Sequence, residues 1–513
     1  MKRENTPLNI IERENSRISL ICSVVTLVAL AVILRLLSYQ IIEKPKLEGE
    51  QAQERAVTLT ETEAAAPVRS TATVVAVGDN LFHSSVYESG RAADDSLNYD
   101  HLYVHVKDLI QAADLAIVDE ETMFTDDRDL HSFYPLFATP TEAGDALVEA
   151  GFDVVECATN HADDYGTPLI EETLNFWRTQ HPEITVLGIH DSPEDAEKIK
   201  VREVNGIRIA FLDYTYGTNS GGPPSDAPYV LDSFGEGSSR VASMVKKARE
   251  QADCVIFIAH WGMEGEAMPT EYEKQWATFL MKQGVDVLIG GHPHILQPCG
   301  RLADNAGHDM VIFYSLGNFI SAQINLEELL EGMACFTIQK TEENGNVSIE
   351  ILDPVVKPMV MHYDLYAEDK KNMSVYMLED YTDELALQHS DNGYLNGLLT
   401  VKNLGRKFQE IMSINVMPSS GTELLDVYFG GDGEMYDAYG GYVEDTASIT
   451  EYQYYSEKGI DIENTLYSDK EIDFTADPDD TTASGGTADF DDTADYDNTA
   501  DYDDTGYYEE EEY

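Results

Sequence analysis

The sequence predicts an α/β domain rich in parallel strands, preceded by a transmembrane helix and followed by a disordered acidic tail. Three observations carry this reading. Between residue 71 and about residue 355, short apolar runs alternate with longer amphipathic ones, the pattern of strand–helix–strand units. Near the N-terminus, ISLICSVVTLVALAVIL forms a nearly unbroken apolar run over positions 18–34. From Glu471 to Tyr513 there is no Lys or Arg, while Asp, Glu, Thr, Ala and Tyr dominate.

The N-terminal run continues past Arg35 as LLSYQII, so the apolar segment covers 18–42, enough for the roughly 17–25 residues that a bilayer requires. Lys2, Arg3, Arg13 and Arg17 precede it and favour a cytoplasmic N-terminus. Arg35 can snorkel to the far interface. A cleaved signal peptide is the rival reading, but the run is long for one and no A-x-A site follows. The expected layout is a cytoplasmic stretch 1–17, a single-pass signal anchor 18–42 in the cell membrane, a polar linker 43–70 and an extracellular domain 71–415. A Gly/Tyr/acid-rich extension 416–470 and the tail 471–513 follow. The tail contains the near-repeats TADFDD, TADYDN and TADYDD. With unopposed charge and no apolar periodicity it is expected to be disordered. The formal net charge of −62 repels phosphate backbones and argues against nucleic acid as a partner. The five cysteines are scattered without a CxxC pair and are expected to be free thiols.

Within the domain, TATVVAV, DLAIVD, FDVVECAT, ITVLGI, IRIAFLDY, DCVIFIAH, VDVLIGG and MVIFYSLG read as buried strands. TPTEAGDALVEAG and PTEYEKQWATFLMKQG read as helices, each closed by glycine. MACFTIQK and VSIEIL have no helical pattern between them, so part of the sheet is expected to be antiparallel. ELALQHSDNGYLNGLLTVKNLGRKFQEIM, residues 384–412, suits helices that close the domain.

In parallel sheets, ligands bind beyond the carboxyl ends of the strands. The residues following each predicted strand are Asp79; Asp119, Glu120 and Glu121; Asn160, His161 and Asp164; His260, Glu264 and Glu266; His292 and His294; and Asn318. His161, His260, His292 and His294 are four of the chain's 13 histidines. Carboxylate, imidazole and amide carbonyl together suit divalent Mn, Fe or Zn. In LIGGHPHILQPC, residues 288–299, Gly290 and Gly291 are expected to let the backbone turn, and Pro293 to fix the directions of the two imidazoles.

The ordered series VAVGDN, DLAIVDEET, TNHADDYG, AHWGMEGE, GGHPHILQ and YSLGNF resembles the CapA family of capsule-synthesis proteins, associated with poly-γ-glutamate synthesis and export. The resemblance covers about residues 72–325. That family is similar to calcineurin-like metallophosphoesterases, which implies two mixed sheets face to face, helices outside and two metals at the strand ends. Carried over, it implies Asp79, Glu121, Asn160, His260, His292 and His294 as metal ligands. His161 becomes an acid or transition-state donor grouped with Asp164, while Glu264 and Asn318 are read as substrate-binding. Position 81 is Leu where the superfamily has a histidine. The functions this implies are polymer synthesis or export at the cell envelope, alternatively metal-dependent hydrolysis of phosphoester or amide bonds, alternatively a non-catalytic scaffold. The expected partners are the membrane, an anionic wall or capsule polymer, and a polymer synthase or export complex. Divalent cations at the wall, or a locally basic channel, would have to offset the repulsion between an anionic polymer and so acidic a chain.

Overall fold

The structure is a computed structural model. It describes residues 7–44, 67–225, 227–303, 307–365 and 372–415, isolated positions 46, 48, 50 and 51, and two short strands, Val427–Phe429 and Met435–Asp437. Apart from those two strands, the predicted extension and the whole predicted tail lie outside the described residues.

The N-terminal apolar run is helical. Helix α1 (Pro7–Ser38) continues into a π-helical turn, Tyr39–Glu43. Its segment Glu14–Glu43 is long and apolar enough to cross a membrane, and none of its apolar window is buried. An uncovered apolar helix of this kind is either a membrane span or a signal sequence.

The strands of the domain are, in chain order, β1 (Val68–Asn80), β2 (Leu115–Glu120), β3 (Phe124–Thr125), β4 (Thr139–Pro140), β5 (Val154–Glu156), β6 (Thr185–Leu187), β7 (Lys200–Val204) and β8 (Ile207–Thr215). They continue with β9 (Cys254–His260), β10 (Val287–Gly291), β11 (Cys299–Ala303), β12 (Asp309–Phe313), β13 (Asn318–Ile320), β14 (Leu330–Glu343), β15 (Asn346–Tyr363) and β16 (Met373–Met377). One mixed sheet runs β16-β15-β14-β1-β2-β5-β6, with β13 pairing on the end of β1. The other runs β11-β12-β10-β9-β8-β7. All eight apolar runs read as strands are strands, and the late antiparallel part is the β14–β15 hairpin.

Alternation along β9 explains how the second sheet is covered on both faces. Cys254, Ile256 and Ile258 join a core that also contains Val74, Ile117 and Val154 of the first sheet. Val255, Phe257 and Ala259 point the other way, into a second core with Met244, Trp276 and Leu280. Successive strand residues face opposite sides, so a strand apolar at every position is a strand buried on both faces.

The helices start and stop where their end residues dictate. Thr141–Ala150 stops at Gly151, whose φ of 110° only glycine adopts readily. Glu271–Gln283 begins with a reciprocal capping box between Thr270 and Glu273 and ends at Gly284, φ 97°. Asp383–Gln388 and Val401–Met412 supply the expected C-terminal helices. All five cysteines are free.

Candidate metal centre

Four strands, β1, β2, β9 and β10, end on one edge, and residues at or just beyond their ends meet. Asp79 is the penultimate residue of β1, just past the point where the register against β2 shifts, and lies opposite Asp119. On β2, Asp119 and the following Glu121 share a face, whereas Glu120 turns away to accept a hydrogen bond from Asn80 Nδ2 at 2.5 Å. Burial pushes the Glu120 carboxyl up to about 8, against the lowering effect of its bonds from Thr122 and Asn80. His260 ends β9, while His292 and His294 follow β10. Three overlapping groups, Glu121/His260/His292, Asp79/Glu121/His294 and Asp79/Asp119/His260, have donor atoms within 4.8 Å of one another and could hold metal ions. Every member is buried.

The loop after β10 works differently from the sequence expectation. Gly290 and Gly291 do not turn the chain. They are the last residues of the strand, and the left-handed conformations fall on His292 (φ 94°) and His294 (φ 60°). The glycines serve close approach instead. A Cβ at Gly291 would lie 2.5 Å from Asp119 Oδ2 and 2.6 Å from Asp79 Oδ1, and one at Gly290 would lie 1.9 Å from the Tyr314 carbonyl oxygen. Positive φ at two histidines costs conformational energy and is held only where surroundings over-determine it. Asp79 does part of this by accepting from the His292 backbone N–H at 3.1 Å and facing His294 Nδ1 at 2.9 Å.

The donor chemistry fits a cation. Burial holds the His260 imidazole below its usual range, so the neutral ring carries one N–H. Yet both its nitrogens face oxygens at 2.9 Å, Nδ1 to Asp119 Oδ2 and Nε2 to Asn160 Oδ1. The ring can donate at only one of these contacts and presents a lone pair at the other, which a cation, or a proton on the Asp119 carboxyl that burial and Asp79 push well up, would satisfy. Both Glu121 oxygens, Asp119 Oδ1 and His292 Nδ1 are buried with no hydrogen-bond partner. Leaving such groups unpaired in the interior costs several kcal/mol each. Burial alone would lower His294, but Glu121 and Asp79 overcome it and push it up to about 10. The carboxylates call for positive charge at this spot.

Residues 73–323 match the family described as bacterial capsule synthesis protein PGA_cap. This segment belongs to the PGA_cap family. The chain is 30% identical over 233 residues to the PGA biosynthesis protein CapA of Bacillus subtilis (strain 168), a match that spans 44% of this chain and 57% of that protein. It is 27% identical over 280 residues to the capsule biosynthesis protein CapA of Bacillus anthracis, 51% of this chain and 64% of that one. The chain thus spans less than two thirds of the length of either relative. Among solved structures it is similar to a hypothetical protein from Thermus thermophilus, at TM-score 0.32 and 15% identity, over 56% of this chain and 99% of that one. It is also similar to the sulfate thiohydrolase SoxB of Thermus thermophilus, at TM-score 0.27 and 15% identity, over 46% and 38% of the two chains.

Around the central donors, the PGA_cap segment arranges the remaining sequence-selected residues in two ways. His161 and Asp164 form a bonded pair, Nδ1 to Oδ2 at 2.7 Å, and the Phe137 backbone N–H donates to the same oxygen at 2.8 Å. His161 Nε2 lies 4.0 Å from Glu121 Oε1. Glu264 is exposed on the loop after β9, where its charge acts on His294 and His260. Asn318 is wholly buried, paired in register with Asp79; its Nδ2 donates to Gln323 and to the Glu328 carbonyl, and its Oδ1 has no partner.

Other residues of the PGA_cap site are not marked as such by the sequence. Asp119 is grouped at the strand end but not among the implied ligands; lying two residues before Glu121 on a strand, it has to share that face. Asn219 Nδ2 lies 3.3 Å from His161 Nδ1 and 3.4 Å from its Nε2, its Oδ1 accepts from Asn160 Nδ2 at 3.3 Å, and the Tyr216 ring lies 4.6 Å from that of His292. Both follow β8, a strand whose end carries no motif of the series. Leu81 is core, 3% exposed. Two residues on, the His83 ring packs edge-on to Phe137 at 5.8 Å, and Phe137 packs on His161 at 4.6 Å. Glu331 on β14 is wholly buried with both oxygens unpartnered; burial and the charge of Asp79 push its carboxyl up.

Proposed function

We propose that this chain is a membrane-anchored, extracytoplasmic protein of poly-γ-glutamate or related envelope-polymer synthesis or export, whose strand-end site holds two divalent cations. The single observation that carries the metal part is the convergence of buried donors on Asp79, Asp119, Glu121, His260, His292 and His294, among which both Glu121 oxygens, Asp119 Oδ1 and His292 Nδ1 have no hydrogen-bond partner. Membership of residues 73–323 in a capsule-synthesis family supports the polymer part, and an uncovered apolar N-terminal helix supports the anchor. The metallophosphoesterase-like arrangement of two sheets is part of this reading, supported by one core that takes residues from both. Mn, Fe or Zn suits the mixed nitrogen and oxygen donors. The anionic polymer and a synthase or export complex are the partners this reading implies.

A second reading, hydrolysis of a phosphoester or amide bond in such a polymer, is favoured by the His161–Asp164 pair. When bound, the cations supply Lewis acidity and a water of lowered pKa. Asp164 accepts from the His161 Nδ1–H and so fixes the ring, leaving Nε2 toward the ligand groups as the atom that gives or takes a proton. Asn219 and Phe137 hold the same ring from two further sides.

The test is elemental analysis of the full chain, purified in detergent without chelator, together with phosphodiester and γ-glutamyl hydrolysis assays. About two cations per chain with turnover support both readings. Cations without turnover leave the polymer-handling reading alone, and no bound cation overturns the metal centre. Protease treatment of intact cells should remove the domain while sparing the N-terminus; a protected domain would reverse the proposed orientation.

A further inference from the structure

A cleft of about 790 Å³ lies beside the metal centre, lined among others by Tyr216, Tyr229, Phe234, Asp232, Glu236 and Arg240. That volume is within the roughly 300–1,000 Å³ typical of small-ligand sites. One loop, residues 216–223, is a wall of the cleft and also touches the centre. Its Tyr216 packs on His292, its Asn219 backbone N–H donates to the Asn160 carbonyl at 3.0 Å, and its Ser220 Oγ donates to Asp163 at 2.8 Å. Thr218 Oγ1 ties the loop to itself, accepting from the Gly222 N–H at 2.9 Å. On the cleft side, a Cβ at Gly221 or Gly222 would meet nothing within 4 Å, so bare backbone is presented to whatever enters.

The charges in the cleft select against an anionic occupant. Arg240 is the one Lys or Arg among its lining residues. Its guanidinium is already engaged by Glu197 at 2.5 Å, by Glu236 at 3.2 Å and by the Ala196 carbonyl at 3.1 Å. A polyanion would have to break these pairs and approach Asp232 and Glu236. What remains is a set of aromatic faces with carboxylate and carbonyl acceptors between them. Sugar rings match that set, since they offer apolar C–H faces to aromatic rings and O–H donors to acceptors.

We propose that this cleft binds an uncharged glycan chain, held against Tyr216 and Tyr229 beside the 216–223 loop. The inference goes beyond the metal reading and does not depend on it. The probe is chitotetraose, titrated calorimetrically into the full chain in detergent micelles, with a poly-γ-glutamate oligomer as competitor and metal content measured on the same sample. Saturable binding is expected, weakened about tenfold by Tyr229→Ala, retained by Tyr229→Phe and not displaced by poly-γ-glutamate. No binding by the parent chain, equal binding by Tyr229→Ala, loss in Tyr229→Phe, or displacement by the polyanion would each overturn it. Because metal is read independently, either proposal can fail while the other stands.

Discussion

Two groups of histidines lie buried in this domain, and they have opposite surroundings. His260, His292 and His294 are 1%, 3% and 3% exposed; His362 and His389 are 0% and 3% exposed. The first group faces carboxylates. The second faces phenols and its own kind: His362 Nδ1 meets Tyr381 OH at 2.9 Å, the Tyr363 ring lies 4.3 Å from that of His389, and the two imidazole rings are 5.5 Å apart. Burial pushes His362 down to about 4, partly opposed by Asp364, and burial together with His362 pushes His389 down to about 3. Burial therefore lowers His260, His292, His362 and His389 alike, and of these five rings His294 alone is pushed up, because Glu121 and Asp79 face it. What decides is whether the neighbours carry negative charge.

The sharpest way to break this comparison is to remove ligands from one group and leave the other. His260→Ala combined with His292→Ala should weaken metal binding by at least about 100-fold, read by elemental analysis after dialysis. His362→Phe should leave metal content unchanged. Should the double variant keep its full complement, the carboxylate-facing group is not the metal centre. A smaller effect is expected from Gly291→Ala, whose added methyl would lie 2.5 Å from Asp119 Oδ2. It should destabilise the domain by about 1–3 kcal/mol and lower metal uptake, visible together as a lower Tm and a smaller shift of Tm on adding metal.

Acid tests the second group. His362 and His389 bind a proton more weakly folded than unfolded, so acid favours the unfolded chain. Stability should fall as pH drops below the unfolded value near 6.5, by about 1.4 kcal/mol per pH unit for each ring, until the folded values near 4 and 3 are reached. His362→Phe should flatten that slope by one ring's share in chemical denaturation between pH 7 and 5. An unchanged slope would mean that the pair is not what acid attacks. The smallest effect serves as a scale: Thr270→Ala removes the capping box of a helix in the second core and should cost about 1 kcal/mol without touching metal content.

The two groups also differ in how far sequence reveals them. The carboxylate-facing histidines each follow an apolar run, and strand ends converge, so His260, His292 and His294 are legible from position alone. His362 sits inside β15, an 18-residue strand, and its neighbours come from β16 and from residues 381–391. Nothing local marks it. β16 itself escapes the pattern because five residues between irregular stretches are too short a run. The glycines before His292 are legible as important but not in their role. A turn is a local matter, whereas the contacts that demand Gly291 are with Asp79 and Asp119, more than 170 residues earlier in the chain. His83 is out of phase with the strand end that precedes it. It approaches the site through Phe137, a residue from a different loop, which no periodicity can show.

Asp79 and His294, which meet at 2.9 Å, are 215 residues apart in the chain. The donors between them come from both sheets, so no fragment of the domain contains a usable half of the site. Cations bound there as proposed would be gathered only after both sheets have closed on each other, and the ion acquired would be set by whichever compartment the chain occupies when folding finishes. Loss of metal in any variant is therefore also a readout of incomplete assembly, and an occupied site certifies a finished domain.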